Sequence, residues 1–118
     1  MWYDVILNRL YIPGGQQLTI VDVSQSAPSV LAVVPISTVS PGSRAAGDPC
    51  ASTAQGTLAV AAVTSLPDGS RAYVGSFYID SLDNVCPQVT VITTSNNTIK
   101  TTAPVPGFPD ATNPSTAY

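Results

Sequence analysis

The sequence predicts an all-β fold built from four-stranded antiparallel units, and three observations support this. Val, Thr, Ile and Tyr are plentiful, whereas Glu is absent and Lys100 is the sole lysine, so helix formers other than Ala and Leu are scarce. Eleven prolines and eight glycines interrupt the chain at short intervals. Apolar runs of strand length lie between these interruptions. The 118 residues suffice for one small domain.

The first half of the chain predicts three strands followed by a long loop. Residues 5–13 (VILNRLYIP) are expected to form a strand with a turn or kink at Asn-Arg. Residues 16–24 alternate in polarity and predict a second strand. Residues 29–36 predict a third strand, closed by a proline. Residues 37–57 are small, polar and rich in Pro and Gly, which indicates a loop.

The second half predicts four strands in succession. They are expected at residues 58–66, 71–77, 88–95 and 98–105. The turn between the first two contains Pro67, Asp68 and Gly69, in which proline presets φ and glycine accepts positive φ. A loop at 78–87 and an Asn-Asn turn at 96–97 separate the others. The sequence Asn-Asn-Thr at 96–98 is also a glycosylation sequon, but turn formation is the better interpretation, because Asn suits positive φ in a two-residue turn.

The two halves repeat each other. Arg9 and Tyr11 match Arg71 and Tyr73, so Arg-x-Tyr followed by a β-branched residue occurs twice. Further matches pair Thr19 with Thr90, Ser24 with Ser95, and Pro35 with Pro104. The spacing between copies changes only in predicted loops and turns, as expected for a duplicated structural unit. A four-stranded antiparallel unit repeated along a chain is the sequence form of a β-propeller blade.

The segment LPDGSRAYVGSF, with QVTVITTSNNTIKTTAPVPG after it, resembles the YVTN-type (YncE-like) β-propeller repeat. NRLYIPGGQQLTIVDVSQSAPSVLAVVPI resembles the second to fourth strands of a preceding blade. The chain departs from the family where Pro13-Gly14 and Gly75-Ser76 replace Thr-Asn, and where Thr93 replaces Asp. The resemblance covers roughly residues 8–36 and 58–107, which is most of the chain outside the long loop and the tail, and it is more informative about architecture than about function.

The resemblance implies about 1.75 blades. Residues 1–40 would form a partial first blade, 41–57 a long inter-blade loop, 58–107 a complete second blade, and 108–118 an irregular tail toward a further blade. Because propellers close with about 4–8 blades, we expect a fragment of a longer propeller. A self-assembling partial propeller and a two-sheet sandwich are the alternatives.

The repeated tyrosines, Tyr11 and Tyr73, are expected to pack between neighbouring sheets, since each copy meets the same packing requirement. A contact with a ligand is the alternative for both. Arg9 and Arg71, together with Pro67, Asp68 and Gly69, are expected to be structural repeat positions rather than catalytic ones.

Composition excludes several classes of function. The formal charge is -3 with only four basic residues, which argues against nucleic-acid binding. The sequence has no His, so it cannot supply a Ser-His-Asp triad or a His-ligated metal. No apolar run approaches the ~20 residues that span a bilayer. We expect no catalytic, metal or cofactor residue. Asp80 and Asp83 share a loop and could offer carboxylates to Ca²⁺, but solvated loop acids are the simpler interpretation.

Cys50 and Cys86 lie in the two enlarged loops, which leave the same end of a four-stranded blade pair. Their polar flanking residues suggest exposed positions, and a disulfide between them is geometrically plausible; two buried thiols are the alternative. A disulfide implies an oxidising compartment: periplasm, cell surface or medium. The N-terminus does not have the pattern of a signal peptide, which would then lie outside this segment.

Three functions are compatible with these features. The first is a non-enzymatic exported scaffold whose loops bind a protein or polymer, because loops on rigid scaffolds commonly carry recognition. The second is a piece of a lactonase- or lyase-like propeller enzyme whose catalytic residues lie on other blades. The third is a purely structural envelope repeat.

Overall fold

The computed structural model describes residues 1–110 as two antiparallel sheets and one short 3-10 turn, Pro41–Ser43. Sheet A consists of β1 (Trp2–Asp4), β2 (Arg9–Gly14), β3 (Gln17–Asp22) and β4 (Ser29–Pro35) in chain order. Sheet B consists of β5 (Ala59–Ser65), β6 (Arg71–Ile79), β7 (Asn84–Thr93) and β8 (Thr98–Pro104), with β9 (Phe108–Pro109) pairing the start of β7. The predicted all-β class and the antiparallel four-stranded units are confirmed.

The two sheets repeat each other in strand register. Trp2 pairs with Tyr11 in sheet A, and Thr64 pairs with Tyr73 in sheet B. Gln17 pairs with Pro35, and correspondingly Gln88 pairs with Pro104. Both sheets shift register at the same point between their third and fourth strands, at Ile20/Val21 and at Val91/Ile92. The sequence repeat is therefore a repeat of backbone pairing.

Sheet A contains a strand that the sequence analysis did not anticipate, and the predicted strand 5–13 is shorter than expected. Residues Trp2–Asp4 pair with β2, and a turn at 5–8 follows. The Asp4 carboxylate accepts the N–H groups of Ile6 and Leu7, and Asn8 takes a φ of 52°. These features make a turn from an apolar run. The predicted irregular tail likewise begins with a short paired strand, β9, and residues 111–118 lie outside the described part.

The hydrophobic core lies between the sheets. Sheet A contributes fully buried Tyr11, Leu18 and Ile20, and sheet B contributes Ala72, Val74 and Ile92. The strict alternation of buried and half-buried residues along β6 and β7 shows that one face of sheet B is covered. Face-to-face packing of this kind buries one apolar face of each sheet.

Polar contacts also join the sheets. The Arg9 guanidinium donates to the Thr94 carbonyl at 2.8 Å and to Asn97 Oδ1 at 3.1 Å, in the turn between β7 and β8. The Trp2 indole N–H donates to Ser65 Oγ at 2.7 Å. At the other end of the sheets, the Val60 N–H donates to the carbonyl of Gly15. Within residues 1–110, the structure has no helix with the length and apolar character needed to cross a bilayer.

Candidate binding face

One end of the molecule carries the long connection between the two sheets, and we name it the loop face. The predicted loop at 78–87 is wrong, because β6 continues to Ile79 and β7 begins at Asn84, which places Cys86 in a strand. The loop face consists of segment 36–58, which connects the two sheets, the β2–β3 turn at 15–16, and the β6–β7 turn at 80–83. Antiparallel connectivity places these connections at the same end. The turns at 5–8, 23–28, 66–70 and 94–97 lie at the opposite end.

A disulfide ties segment 36–58 to sheet B. Cys50 and Cys86 are bonded, with their Cα atoms 5.9 Å apart, and both are fully buried. The predicted pairing is confirmed, but the predicted exposure is wrong. The polar neighbours Asp48 and Asn84 turn their side chains to local N–H groups and to Asp80 instead of to open solvent. In the chain-entropy model, closing this loop of 36 residues stabilises the fold by roughly 3–4 kcal/mol.

Arg44 is a second attachment of the same segment. Its guanidinium is buried and donates to the carbonyls of Val105 at 2.8 Å and Pro87 at 3.0 Å, so it spans the ends of β7 and β8. Asp48 supplies the opposite charge at 3.4 Å, and the Tyr78 ring lies 5.9 Å from the guanidinium carbon. A planar fork of donors suits two carbonyls at once, which an ammonium group does not match.

Asp80 is the third attachment, and it is not a solvated loop acid as the sequence suggested. It is 5% exposed, and its Oδ1 accepts the N–H groups of Leu82 and Asn84 while its Oδ2 accepts from Thr53 Oγ1 and Asn84 Nδ2. Burial opposes ionisation of Asp80, but the hydrogen bonds from Thr53, Asn84 and Leu82 outweigh it and hold its pKa below the usual value. Its carboxylate therefore organises the β6–β7 turn and fastens Thr53 to it.

Asp80 also lies close to the disulfide. One carboxylate oxygen and the two sulfur atoms of Cys50 and Cys86 all fall within 4.8 Å of one another. Sulfur in a disulfide is not the thiolate that ligates metals, and both Asp80 oxygens already accept hydrogen bonds. The cluster is thus accounted for as a structural attachment. Asp83, the second acid considered for Ca²⁺, has a φ of 60° in the same turn.

Gln88 fixes the start of the segment. Its side chain is 1% exposed, donates to the carbonyl of Ser37 and accepts the N–H of Val39, as a further strand would. At the other end of the segment, Gln55 donates to the Val39 carbonyl and accepts from Thr38 Oγ1. The start of the segment is thus hydrogen-bonded both to sheet B, through Gln88, and to the end of the segment, through Gln55.

Two glycines permit close approach of the segment to sheet B. A Cβ atom at Gly56 would collide with the carbonyl oxygen of Ile79. A Cβ atom at Gly107 would collide with Cys50 Sγ and lie 2.9 Å from Asp48 Oδ1. Neither glycine has positive φ, so closeness of packing and not backbone conformation requires glycine at these positions.

The exposed surface of the segment is uncharged. Its two charged residues, Arg44 and Asp48, face each other, whereas the exposed positions are Ser, Ala, Gly, Pro, Gln and Thr. A depression of about 400 Å³ opens on the loop face. It is lined by Gln16, Ile36, Ser37, Thr38, Gly56, Thr57 and Leu58. Hydroxyl and amide groups at its rim can donate and accept hydrogen bonds without a net charge.

The repeated positions are placed differently in the two copies. Tyr11 is fully buried between the sheets, and burial raises its pKa. Tyr73 is only half-buried, on the face of sheet B that is turned away from sheet A. Arg9 joins the sheets, whereas Arg71 is exposed. The Tyr73 face therefore has no neighbour among residues 1–110.

The predicted turns form at the end opposite the loop face. Gly69 has a φ of 75°, and Asp68 Oδ1 accepts the N–H of Ser70 at 2.9 Å, as expected for the turn that begins with Pro67. In the Asn-Asn turn, Asn96 Oδ1 accepts from Thr98 Oγ1 and Asn97 Oδ1 accepts from Arg9. Both asparagine side chains therefore have structural partners.

Sequence reasoning missed Arg44 and Gln88. The signal for Arg44 was its position four residues before Asp48 in an otherwise uncharged loop, a spacing that favours pairing. Gln88 carried a weaker signal, since it sits where a buried strand residue belongs in the alternation of β7.

When the chain is compared with protein-family models, curated proteins and solved structures, none of them matches it.

Proposed function

We propose that this chain is a non-enzymatic, exported β-propeller repeat module whose loop face binds a protein or polymer partner. The observation that carries the proposal is the threefold attachment of a long surface segment by the Cys50–Cys86 disulfide, Arg44 and Asp80. Loops of this length are uncommon in compact domains and are usually either functional or disordered, and ordered loops on rigid sheets are typical of recognition surfaces. Prior ordering of such a loop lowers the entropy lost on binding.

The chemistry of the loop face indicates the kind of partner. Its exposed residues are small and uncharged, and the depression beside Ser37, Thr38 and Thr57 offers hydroxyl groups. A surface of this kind recognises shape and hydrogen-bonding groups rather than a strong charge pattern. A neutral polysaccharide or the polar surface of a protein meets that description.

The disulfide supports export. Disulfides persist in the periplasm, at cell surfaces and in the medium, and they are rare in reducing compartments. Both sulfur atoms are buried, which protects the bond from attack by free thiols. A buried bond that fastens a recognition loop suits a protein that works outside the cytoplasm.

The test is binding of the purified protein to an array of neutral polysaccharides, charged polysaccharides and secreted proteins. Ala46→Arg adds a bulky charge at an exposed position of segment 36–58, and Ala27→Arg is the matched change in the β3–β4 turn at the opposite end. We expect Ala46→Arg to weaken binding at least tenfold, on the order of 1.4 kcal/mol, and Ala27→Arg to have no effect. Equal effects of the two changes would contradict a binding site on the loop face.

A further inference from the structure

The outer face of sheet B is the repeat equivalent of a face that is buried inside the molecule. Matching strand registers align Tyr11, Leu18 and Ile20 of sheet A with Tyr73, Val89 and Val91 of sheet B. The first three are fully buried because sheet B covers them. The second three are only half-buried, because no sheet covers them among residues 1–110.

The outer face of sheet A is, in turn, the repeat equivalent of the face of sheet B that is buried against sheet A. The same registers align Leu10, Ile12 and Val21 with Ala72, Val74 and Ile92 of sheet B. The sheet B residues are fully buried against sheet A. Their sheet A counterparts are partly exposed, and neighbouring Val30 and Val33 on β4 are 64% and 49% exposed.

Polar positions follow the same pattern. Gln88 is buried and holds the segment that leaves β4, whereas its counterpart Gln17 is exposed. Ile36, just after β4, is 4% exposed, whereas its counterpart Val105, just after β8, is 36% exposed. Arg9 reaches the Thr94 carbonyl of the next sheet, whereas Arg71 is exposed. The outer face of each sheet is thus the repeat equivalent of the inner face of the other sheet, but it has no sheet packed on it within residues 1–110.

We propose that copies of this chain associate head to tail, with the outer face of sheet B of one copy packed on the outer face of sheet A of the next. The contact repeats the packing of sheet A on sheet B within the chain. The occupant is a second copy because the outer face of sheet A is the repeat equivalent of the sheet B surface that already covers Tyr11. This inference is independent of what the loop face binds.

The proposed contact joins two different faces, so it is heterologous and propagates from copy to copy. A ring forms if the rotation between copies closes, and an open assembly forms if it does not. With two sheets per copy, the range of about four to eight blades seen in propellers corresponds to roughly two to four copies in a closed ring. Arg71 of one copy is expected to donate to the Val23 carbonyl of the next, the counterpart of Thr94.

Sedimentation velocity of the full chain tests the proposal, with one variant for each face. Val91→Lys places a charge on the outer face of sheet B, and Val21→Lys does so on the outer face of sheet A. The wild type is expected at a multiple of 12.1 kDa and each variant alone at 12.1 kDa. An equimolar mixture is expected at twice 12.1 kDa, because each variant keeps the face that the other has lost.

Val5→Lys, a matched change in an exposed turn, is expected to assemble like the wild type. Tyr73→Arg and Leu10→Lys replace the two variants if circular dichroism shows that either fails to fold. A wild type that stays at 12.1 kDa at high concentration overturns the proposal. So does a mixture of folded variants that stays monomeric, or an assembly that only one of the two variants disrupts, because that outcome indicates a symmetric contact.

Discussion

At the scale of single residues, buried polar side chains fix the path of segment 36–58 across the loop face. Arg44 and Gln88 each form two hydrogen bonds to residues distant in sequence, and Asp80 forms one, with Thr53. A buried donor or acceptor is costly when left unpaired, so each of these residues strongly favours one arrangement of the segment. The uncharged outer surface of the segment depends on these buried attachments.

Asp80→Asn tests how much one of these buried polar side chains contributes to stability. The amide nitrogen would face the Thr53 hydroxyl and Asn84 Nδ2, both of which donate to Asp80 Oδ2. We expect a loss of about 1–3 kcal/mol in the free energy of unfolding at pH 7. The pKa of Asp80 is lower in the folded than in the unfolded state, so its contribution is complete above about pH 4 and disappears as the pH falls through the folded value.

Urea unfolding at pH 7 and at pH 3, with the disulfide intact, measures the free energy of unfolding of wild type and Asp80→Asn at each pH. The difference between wild type and Asp80→Asn should narrow at the lower pH. Asp22→Asn is the control, since Asp22 lies at the end of β3 and its carboxylate accepts the nearby N–H of Ser24, so it joins no distant elements. A loss of the same size at both pH values would show that charge on Asp80 contributes nothing.

At the scale of elements, the segment after β8 must pass very close to the disulfide. Gly107 lies where a Cβ atom would collide with Cys50 Sγ, and its N–H donates to Asp48 Oδ1 at 3.2 Å. Gly107→Ala is expected to destabilise the fold by roughly 1–3 kcal/mol, because overpacking pushes apart the connection after β8 and segment 36–58. Gly42→Ala is the matched control, since the nearest atom to a Cβ there is 3.8 Å away.

Thermal unfolding of the two variants measures the cost. The rate at which dithiothreitol reduces the Cys50–Cys86 bond is a second measurement, and we expect it to rise for Gly107→Ala alone. Equal melting temperatures for the two variants would contradict the close approach of Gly107 to the disulfide.

Elements also show what the sequence could predict and why the remainder was missed. Repeat spacing and turn residues predicted the presence of β2 to β8 and the Pro67-Asp68-Gly69 turn, but β6 and β7 extend into residues 78–87, which were expected to form a loop. The strand Trp2–Asp4 was missed because the apolar run after it suggested a strand, whereas Asp4 caps a turn there. Leu7 is apolar in that turn because it packs against Gly69 of the other sheet, a contact that depends on tertiary structure.

At the scale of the whole molecule, the internal repeat explains both the core and the uncovered faces. Two sheets that repeat each other cover one face of each and leave the equivalent opposite faces half-buried. The sequence predicted the repeat and the disulfide partners, because both follow from residue spacing. It could not predict how Arg44 and Asp80 fasten segment 36–58, because their partners are distant in the chain.

The most direct test of the disulfide that braces the loop face, and of the proposed export, is thiol labelling of the protein isolated from its source without reductant. Iodoacetamide under denaturing conditions, followed by intact mass measurement, should leave Cys50 and Cys86 unlabelled. Prior reduction should raise the mass by about 2 Da and allow both to be labelled. Labelling of both cysteines without reduction would contradict the disulfide in the native protein, and with it the attachment of the segment and the case for export.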